Sequence, residues 1–325
     1  MAGLEILPFA DEHLNEAARL LADRHTRHRD AEALLPPRFE EPELARAELE
    51  RVWHMDDASG TAAFRGGRMA GYLVGAPRPD QVWGANLWVE APGHAVDRAE
   101  DAEVVRDLYA AAAARWVEEE RVRHSVLVPA ADEALLDAWW RLSFGKQHAH
   151  GVQEVRAPRN ASVPDGFEIR GPRADEVEQL IDVDLALPEH QRGSPVFGAA
   201  HLSSRDESRA EWARTLDQGE EQILIGAHDG RPVACWALVP AERSNEHRGL
   251  QLPEHACHLG FAATLPEFRG TGIGVALTDA ALAWAEAEGY TAMITDWRVT
   301  NLLSSRFWPK RGFRVSFLRL YRSIP

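Results

Sequence analysis

Three alternating glycines in the second half of the chain form its most distinctive chemical pattern. Gly270, Gly272 and Gly274 follow Arg269 and precede an alanine-rich stretch with helical spacing. Glycines at a helix start leave backbone N–H groups accessible, and these groups and the helix dipole together favour a pyrophosphate. Arg269 adds a cation at the same place. The segment therefore predicts a phosphate-binding turn; a glycine-rich turn without a ligand is the alternative.

The spacing of these glycines excludes two other nucleotide loops. A dinucleotide-binding loop that begins at Gly270 would need glycine at Val275. A Walker A loop would need Lys and then Ser or Thr after the last glycine, where Val275 and Ala276 stand.

His258 lies on the predicted strand that leads into the glycine-rich turn. The two-residue period of a strand places it on the same face as Ala262 and Thr264. An imidazole with an ordinary pKa near ~6.5 suits a general base. A structural histidine is the alternative.

The elements that must position these residues occur twice. Each half predicts a strand, a helix, a tight hairpin and then alternating strands and helices, about 165 residues apart. A repeat of this length indicates a duplicated domain. We expect an α/β fold with two tandem domains, each a mixed sheet flanked by helices. The expected boundaries are 1–155 for the first domain, 156–166 for a linker and 167–325 for the second.

Composition narrows the class of protein. With 36 Lys and Arg against 51 Asp and Glu, the net charge is -15. This argues against nucleic-acid binding and is compatible with a cationic substrate. Two cysteines give no disulfide framework, and Cys235 and Cys257 fall in apolar strand patterns that predict buried, inert thiols. No zinc-ligand spacing is present, no apolar run is long enough to span a membrane, and the first residues do not resemble a signal peptide. We expect a cytoplasmic protein.

Two segments of the second half resemble the GNAT (Gcn5-related N-acetyltransferase) superfamily. The first is Arg269-x-x-Gly272-x-Gly274, which is similar to the acyl-CoA loop of that family. The second runs from Asn301 to Phe313 and resembles the family segment Asn-x-x-Ala-x-x-Leu-Tyr-x-x-x-Gly-Phe. The resemblance covers residues 167–325 well. Over residues 1–155 it is only structural in character.

The resemblance implies how acetyl-CoA would be held as cosubstrate. In the family the strand before the loop splays from its neighbour, and the pantetheine arm lies between them. Asn301 corresponds to a pantetheine contact, although a helix N-cap is the alternative role. The implied cofactor-binding residues are Ala262, Ala263, Thr264, Arg269, Gly270, Thr271, Gly272, Ile273, Gly274, Val275 and Asn301.

The resemblance also implies catalytic residues. Asp296 has the spacing from Asn301 at which some members carry a general base, and pairing with Arg298 is the alternative. Trp308 stands where the family usually has a tyrosine that protonates the leaving thiolate. Indole N–H donates a hydrogen bond but gives up no proton at ordinary pH. We expect Trp308 to steady the thiolate; a core aromatic beside Phe307 is the alternative.

The first half has lost the glycine-rich turn. Asp101 and Glu103 stand where the glycines would align, and two carboxylates would repel a pyrophosphate. We therefore expect a degenerate first domain and one working site.

We predict an N-acyltransferase that moves an acetyl group from acetyl-CoA to a primary amine in a ternary complex. The acceptor is expected to be a small-molecule or peptide amine, and the protein a monomer or homodimer. Residues 187–197 are expected to follow the first helix of the second half, and the resemblance implies that this region covers the acceptor site and sets acceptor specificity. A CoA-binding regulatory module and a tRNA-dependent aminoacyl transferase are the alternatives.

Overall fold

The computed structural model describes residues 3–79, 84–159, 161–198, 203–244 and 246–325. The chain folds into two compact units, one comprising residues 1–150, 249–251 and 315–325 and the other residues 151–248 and 252–314. Both units pack helices against β-sheet, so the predicted α/β class with two such domains is confirmed. In the described part of the chain, no helix combines the length and apolarity that crossing a bilayer requires.

The first unit contains an antiparallel sheet in the order β1-β2-β3-β5 and a second group of strands in the order β4-β6-β13-β7. Its apolar core lies between the first sheet and helices α1 and α2, where Leu21, Leu49 and Tyr72 are fully buried. The elements are β1 (Leu4–Pro8), α1 (Leu14–Ala31), α2 (Pro42–Trp53), β2 (Ser59–Arg65), β3 (Arg68–Gly75), β4 (Asn86–Val89), β5 (His94–Val96), α3 (Val104–Glu118), β6 (Arg123–Pro129), α4 (Glu133–Trp140), β7 (Gly145–Glu154) and β13 (Arg314–Ser323).

The last strand of the chain belongs to the first unit from residue 315 onward. There β13 pairs antiparallel with β6, from Phe317 opposite Pro129 to Ser323 opposite Arg123. The sequence-based boundaries 1–155, 156–166 and 167–325 stay predictions, and they differ from the compact units chiefly in this strand.

The second unit is a mixed sheet in the order β7-β12-β11-β10-β9-β8, to which β7 contributes residues 151–154. Neighbours from β8 to β11 run antiparallel, and β11 runs parallel to β12. The elements are β8 (Phe167–Arg170), α5 (Val177–Arg192), α6 (Arg205–Gln218), β9 (Gln222–His228), β10 (Arg231–Pro240), β11 (Ala256–Thr264), α7 (Ile273–Ala287), β12 (Ala292–Arg298) and α8 (Ser304–Lys310).

The hairpin predicted between β9 and β10 is present. Asp229 and Gly230 form its turn with φ angles of 49° and 79°, which the Asp-Gly pair tolerates. One face of this sheet packs on α5 and α6, where Ile181, Trp212 and Cys235 join one apolar cluster. Helix α7 lies so close to β9 that a Cβ on Gly226 would come within 2.5 Å of the Ile273 side chain.

Two expectations for this unit were wrong. Residues 187–192 do not follow the first helix but form the last turns of α5, with Pro188 inside the helix. A further helix, α6, precedes the hairpin, and only Ser208 and Trp212 of its residues are buried. The sequence gives little apolar periodicity over this stretch, so its helix is marked mainly by the capping box of Ser204 and Glu207.

Candidate active site

The strand β11 separates from β12 part-way along its length. The parallel pairing covers only Ala256–His258 opposite Ala292–Ile294. One further link follows, in which the Thr295 hydroxyl donates to the Leu259 carbonyl over 2.9 Å. Beyond it, β11 continues to Thr264 paired with β10 alone among the described strands. This leaves a wedge-shaped opening in the sheet, with free backbone groups along one edge of β11.

The glycine-rich turn follows the end of β11. Gly270 and Gly272 have φ angles of 82° and 94°, in the left-handed region that favours glycine, and α7 begins at Ile273. The first amide of this helix that bonds to a preceding backbone carbonyl is that of Val275, which donates to Gly272. In the described residues, the preceding amides from Gly270 to Gly274 have no protein acceptor. They form an N-terminal donor set suited to an anion.

Arg269 ties the turn to the strand. Its Nε donates to the Thr264 carbonyl over 3.2 Å, and burial lowers the pKa of the guanidinium. The side chain also lines the cavity described next. Arg269 therefore fixes the turn and places a positive charge beside it.

A cavity of about 380 Å³ joins the wedge and the turn. This volume is within the range of small-molecule sites. All the predicted cofactor-binding residues except Thr271 line it; the Thr271 hydroxyl instead donates to the Phe268 carbonyl over 2.8 Å. The residues that were not predicted from sequence are Leu187, His190, Trp236, Phe268, Leu303, Ser304 and Phe307.

Trp236 is the most informative of these unpredicted residues. It lies on β10, is 4% exposed, and its indole Nε1 has no hydrogen-bond partner in the described protein. A Cβ on Gly274 would lie 3.4 Å from its ring, so the indole lies directly beside the turn. A buried donor without a partner costs about 1–3 kcal/mol. A ligand acceptor in the cavity would remove that penalty.

Asn301 caps the turn before α8. Its Oδ1 accepts from the amides of Leu303 and Ser304 over 3.0 and 3.4 Å, whereas the N-cap position of α8 itself is Leu303. The same oxygen lies 3.2 Å from His190 Nε2, and both side chains line the cavity. Helix α5 thereby brings a second imidazole to the site that no sequence motif indicated.

Trp308 is a core aromatic that also lines the cavity, and its role toward the thiolate stays a prediction. It is 5% exposed and packs edge-to-face against Phe313, with ring centroids 5.4 Å apart, and against Phe307 at 4.9 Å. It also lines the cavity, where its ring lies 6.4 Å from that of Trp236.

The expected orientation of His258 was wrong. The register of β10 against β11 shifts between Ala237 and Leu238, which leaves Gly260 as an extra residue in β11. This bulge reverses the alternation, so His258 lies with Phe261 in a second cavity of about 390 Å³, whereas Thr264 lines the first.

His258 belongs to a buried cluster with His247 and Asp296. One ligand atom from each residue lies within 4.8 Å of the others, and the two imidazole rings are 4.9 Å apart. Burial, with a further contribution from His247, lowers the pKa of His258 to about 4, while Asp296 and Glu246 act to raise it. His258 is therefore neutral at neutral pH. Two imidazoles and one carboxylate are also ligand types that bind Zn²⁺, although no zinc spacing is visible in the sequence.

Comparison with known proteins identifies the family of this unit. Residues 187–313, which contain the wedge, the glycine-rich turn and α8, match the Acetyltransferase (GNAT) family. This match assigns the region to the GNAT superfamily. A relative, an uncharacterized N-acetyltransferase of Mycobacterium tuberculosis (strain CDC 1551 / Oshkosh), is 28% identical over 131 residues, which cover 39% of this chain and 77% of the relative. The matched region is accordingly a GNAT-type N-acetyltransferase domain.

Solved structures extend the GNAT similarity to the whole chain. A GCN5-related N-acetyltransferase from Sphaerobacter thermophilus superposes with a TM-score of 0.61 at 15% identity, covering 98% of this chain and 95% of that one. A tandem GNAT protein from the clavulanic acid biosynthesis pathway gives 0.52 at 15% identity, covering 99% and 98%. The fold is a tandem pair of GNAT-like domains.

The first GNAT-like domain has no open glycine turn at the corresponding place. Its helix α3 begins after Asp101 and Glu103, and the Asp101 carboxylate already accepts the amide of Glu103 over 2.9 Å. Glu103 pairs with Arg106 and Arg141. Side chains thus occupy positions that are open backbone in the second domain.

Proposed function

We propose that the second unit transfers an acetyl group from acetyl-CoA to a primary amine by direct attack in a ternary complex. The observation that carries this proposal is the meeting, in one cavity, of the unpaired β11 edge and the open amides of the glycine-rich turn. The edge suits an extended chain with amide groups, and the turn suits a pyrophosphate. Acetyl-CoA contains both.

The residues present fit acetyl-CoA. Gly270, Gly272 and Gly274 leave their amides open toward the cavity, and Arg269 supplies a cation. We assign the pyrophosphate to this turn, and the pantetheine arm to the edge formed by Ala262 and Ala263. The Thr264 carbonyl already accepts from Arg269, so its contribution to the pantetheine is limited.

The thioester needs a donor for the negative charge that develops on its oxygen. Backbone amides along the free β11 edge and the unpaired Nε1 of Trp236 are the available donors in the cavity. Preorganised donors of this kind contribute much of the rate in acyl transfer. We assign Trp236 as a donor to the thioester or to the adjoining pantetheine amide.

The amine must lose a proton before it attacks, because an alkylamine with a pKa near ~10 is protonated at neutral pH. We assign proton uptake to His258, whose buried Nε2 has no partner in the described protein. Asp296 lies in the same cluster and stabilises the imidazolium that forms.

Acetyl transfer forms a C–N bond and breaks the C–S bond of the thioester. The neutral amine nitrogen bonds to the thioester carbonyl carbon and becomes cationic. It loses one further proton to solvent water, and the C–S bond breaks as the tetrahedral intermediate collapses. The thiolate leaves without an internal acid, since a thiol with a pKa near ~8.5 is a competent leaving group. Trp308 lines the cavity and is assigned to hydrogen-bond the thiolate, which takes its proton from water.

A CoA-binding regulatory module is the second candidate. Trp308 favours it, because the residue at this position cannot donate a proton to the thiolate. A CoA-release assay over a panel of small-molecule and peptide amines separates the two candidates. Amine-dependent release that is lost in Gly272→Asp supports transfer. Stabilisation by acetyl-CoA in a thermal-shift assay, without release for any amine, supports the regulatory module.

Two further assignments stay proposals. The two buried, unpaired thiols are compatible with the reducing cytoplasm that we propose as the location of the protein. Burial raises the pKa of Cys257 to about 12 and that of Cys235 still further, so neither thiol is proposed as a nucleophile.

A further inference from the structure

The second cavity lies beside the proposed transfer site along the same strand. It has a volume of about 390 Å³ and is lined on β11 by His258, Gly260 and Phe261. The next residue along the strand, Ala262, lines the first cavity. A molecule in the second cavity therefore lies against the part of β11 that adjoins the acyl-CoA cavity.

The charged side chains that line this cavity are mostly acidic. They are Glu220, Glu221 and Glu246, against a single arginine, Arg243. The guanidinium of Arg243 is already paired with Glu220 over 2.8 Å. In the described residues, no side chain forms a hydrogen bond or ion pair with Glu221. The lining thus carries a net negative charge that is not neutralised at Glu221.

His258 gives an independent indication of a ligand. It is 8% exposed, it lines the cavity, and its Nε2 has no partner in the described protein. The carboxylate in its cluster is that of Asp296, which belongs to the proposed proton-uptake machinery. A polar hydrogen on a ligand would satisfy the free nitrogen, and the N–H of an ammonium group has the required chemistry.

We infer that the second cavity binds the acceptor, and that the acceptor is an amine with a second cationic group, such as an α,ω-diamine. This inference rests on the proposed acetyl transfer. The nitrogen that is acetylated lies at the unpartnered Nε2 of His258. The other ammonium group keeps its charge and lies at Glu221, while amines that carry a carboxylate in its place, such as amino acids, are disfavoured by the same carboxylate.

Turnover tests the acceptor class. CoA release is measured for α,ω-diamines of increasing chain length and for monoamines of matched length. We expect kcat/KM to favour the best diamine by roughly two- to fivefold, the size of one exposed charge pair. Glu221→Gln should reduce this ratio toward one. The matched control Glu254→Gln, which removes an exposed carboxylate outside the cavity, should leave the ratio unchanged.

Binding tests the cavity without turnover. A bis-quaternary alkane diammonium ion cannot be acetylated, and its binding is measured by calorimetry in the presence of CoA. We expect binding that weakens roughly two- to fivefold in Glu221→Gln but not in Glu254→Gln. If this ion binds as expected and no amine releases CoA, the cation site is supported and the proposed acetyl transfer is refuted. If monoamines and diamines turn over equally and the ion does not bind, acetyl transfer stands and the cation site is refuted.

Discussion

Replacement of His258 by glutamine tests the proposed base most directly. The glutamine amide keeps a polar group of similar reach but cannot take up a proton. Because burial lowers the pKa of His258 to about 4, nearly all of the enzyme carries the neutral imidazole at pH 7. The unprotonated imidazole is therefore available as a proton acceptor above about pH 4.

The expected size of the effect follows from the protonation of the acceptor. With an amine pKa near ~10, about one molecule in a thousand is unprotonated at pH 7. Without a base, only that fraction reacts, so His258→Gln should lose roughly 10³-fold in kcat/KM at pH 7, within the usual range for a general base. The loss should shrink about tenfold per pH unit and vanish near the pKa of the amine.

Asp296→Asn gives the complementary profile. Asp296 raises the pKa of His258, so its removal makes the imidazole a weaker base. We expect a smaller rate loss than for His258→Gln. In the pH–rate profile, the fall in rate on the acidic side should be displaced to lower pH. A merely structural role for Asp296 would not produce that displacement.

The assay is a pH–rate profile of CoA release for both variants, with acetyl-CoA affinity measured by calorimetry. EDTA is present, so that a metal ion bound by the three clustered side chains does not contribute. His255→Gln is the control, because His255 is exposed just before β11 and lines neither cavity. If Asp296→Asn alone lost the full factor of roughly 10³ in rate, Asp296 and not His258 would be the base. Unchanged rates in both variants would refute the assignment and leave deprotonation to solvent.

Three further predictions concern ligand binding and stability. Calorimetry should find one acetyl-CoA site per chain, and two equivalent sites would contradict the loss of the turn in the first domain. Gly272→Asp should abolish acetyl-CoA binding, because it places a carboxylate at the start of α7 and a non-glycine residue at a φ of 94°. An unchanged affinity in a variant with the wild-type circular dichroism spectrum would refute the assigned turn. Burial lowers the pKa of both His28 and His94 to about 3, so the unfolded chain binds protons below pH 6.5 that the folded chain cannot. The free energy of unfolding should therefore fall on going from pH 7 to pH 5 by up to about 2 kcal/mol per histidine, and urea midpoints that are independent of pH over this range would exclude it.

The sequence predicted the glycine-rich turn, its helix and the neighbouring strand correctly because these features are local. The φ angles of Gly270 and Gly272 and the start of α7 depend on residues within a few positions of one another. The helical period of α7 and the Asp-Gly hairpin turn are likewise directly recognisable in the sequence. The duplicated pattern was enough to predict two α/β domains.

Tertiary structure decided which side chains meet at these local features. The bulge at Gly260 changes the face of His258, and it results from the pairing of β11 with a distant strand, so two-residue alternation alone gave the wrong face. Trp236 and His190 come to the first cavity from β10 and α5. His247 joins His258 and Asp296 only after the sheet has formed. Chemical groups far apart in the chain become one site through long-range strand pairing and helix packing, and neither leaves a spacing that the sequence alone reveals.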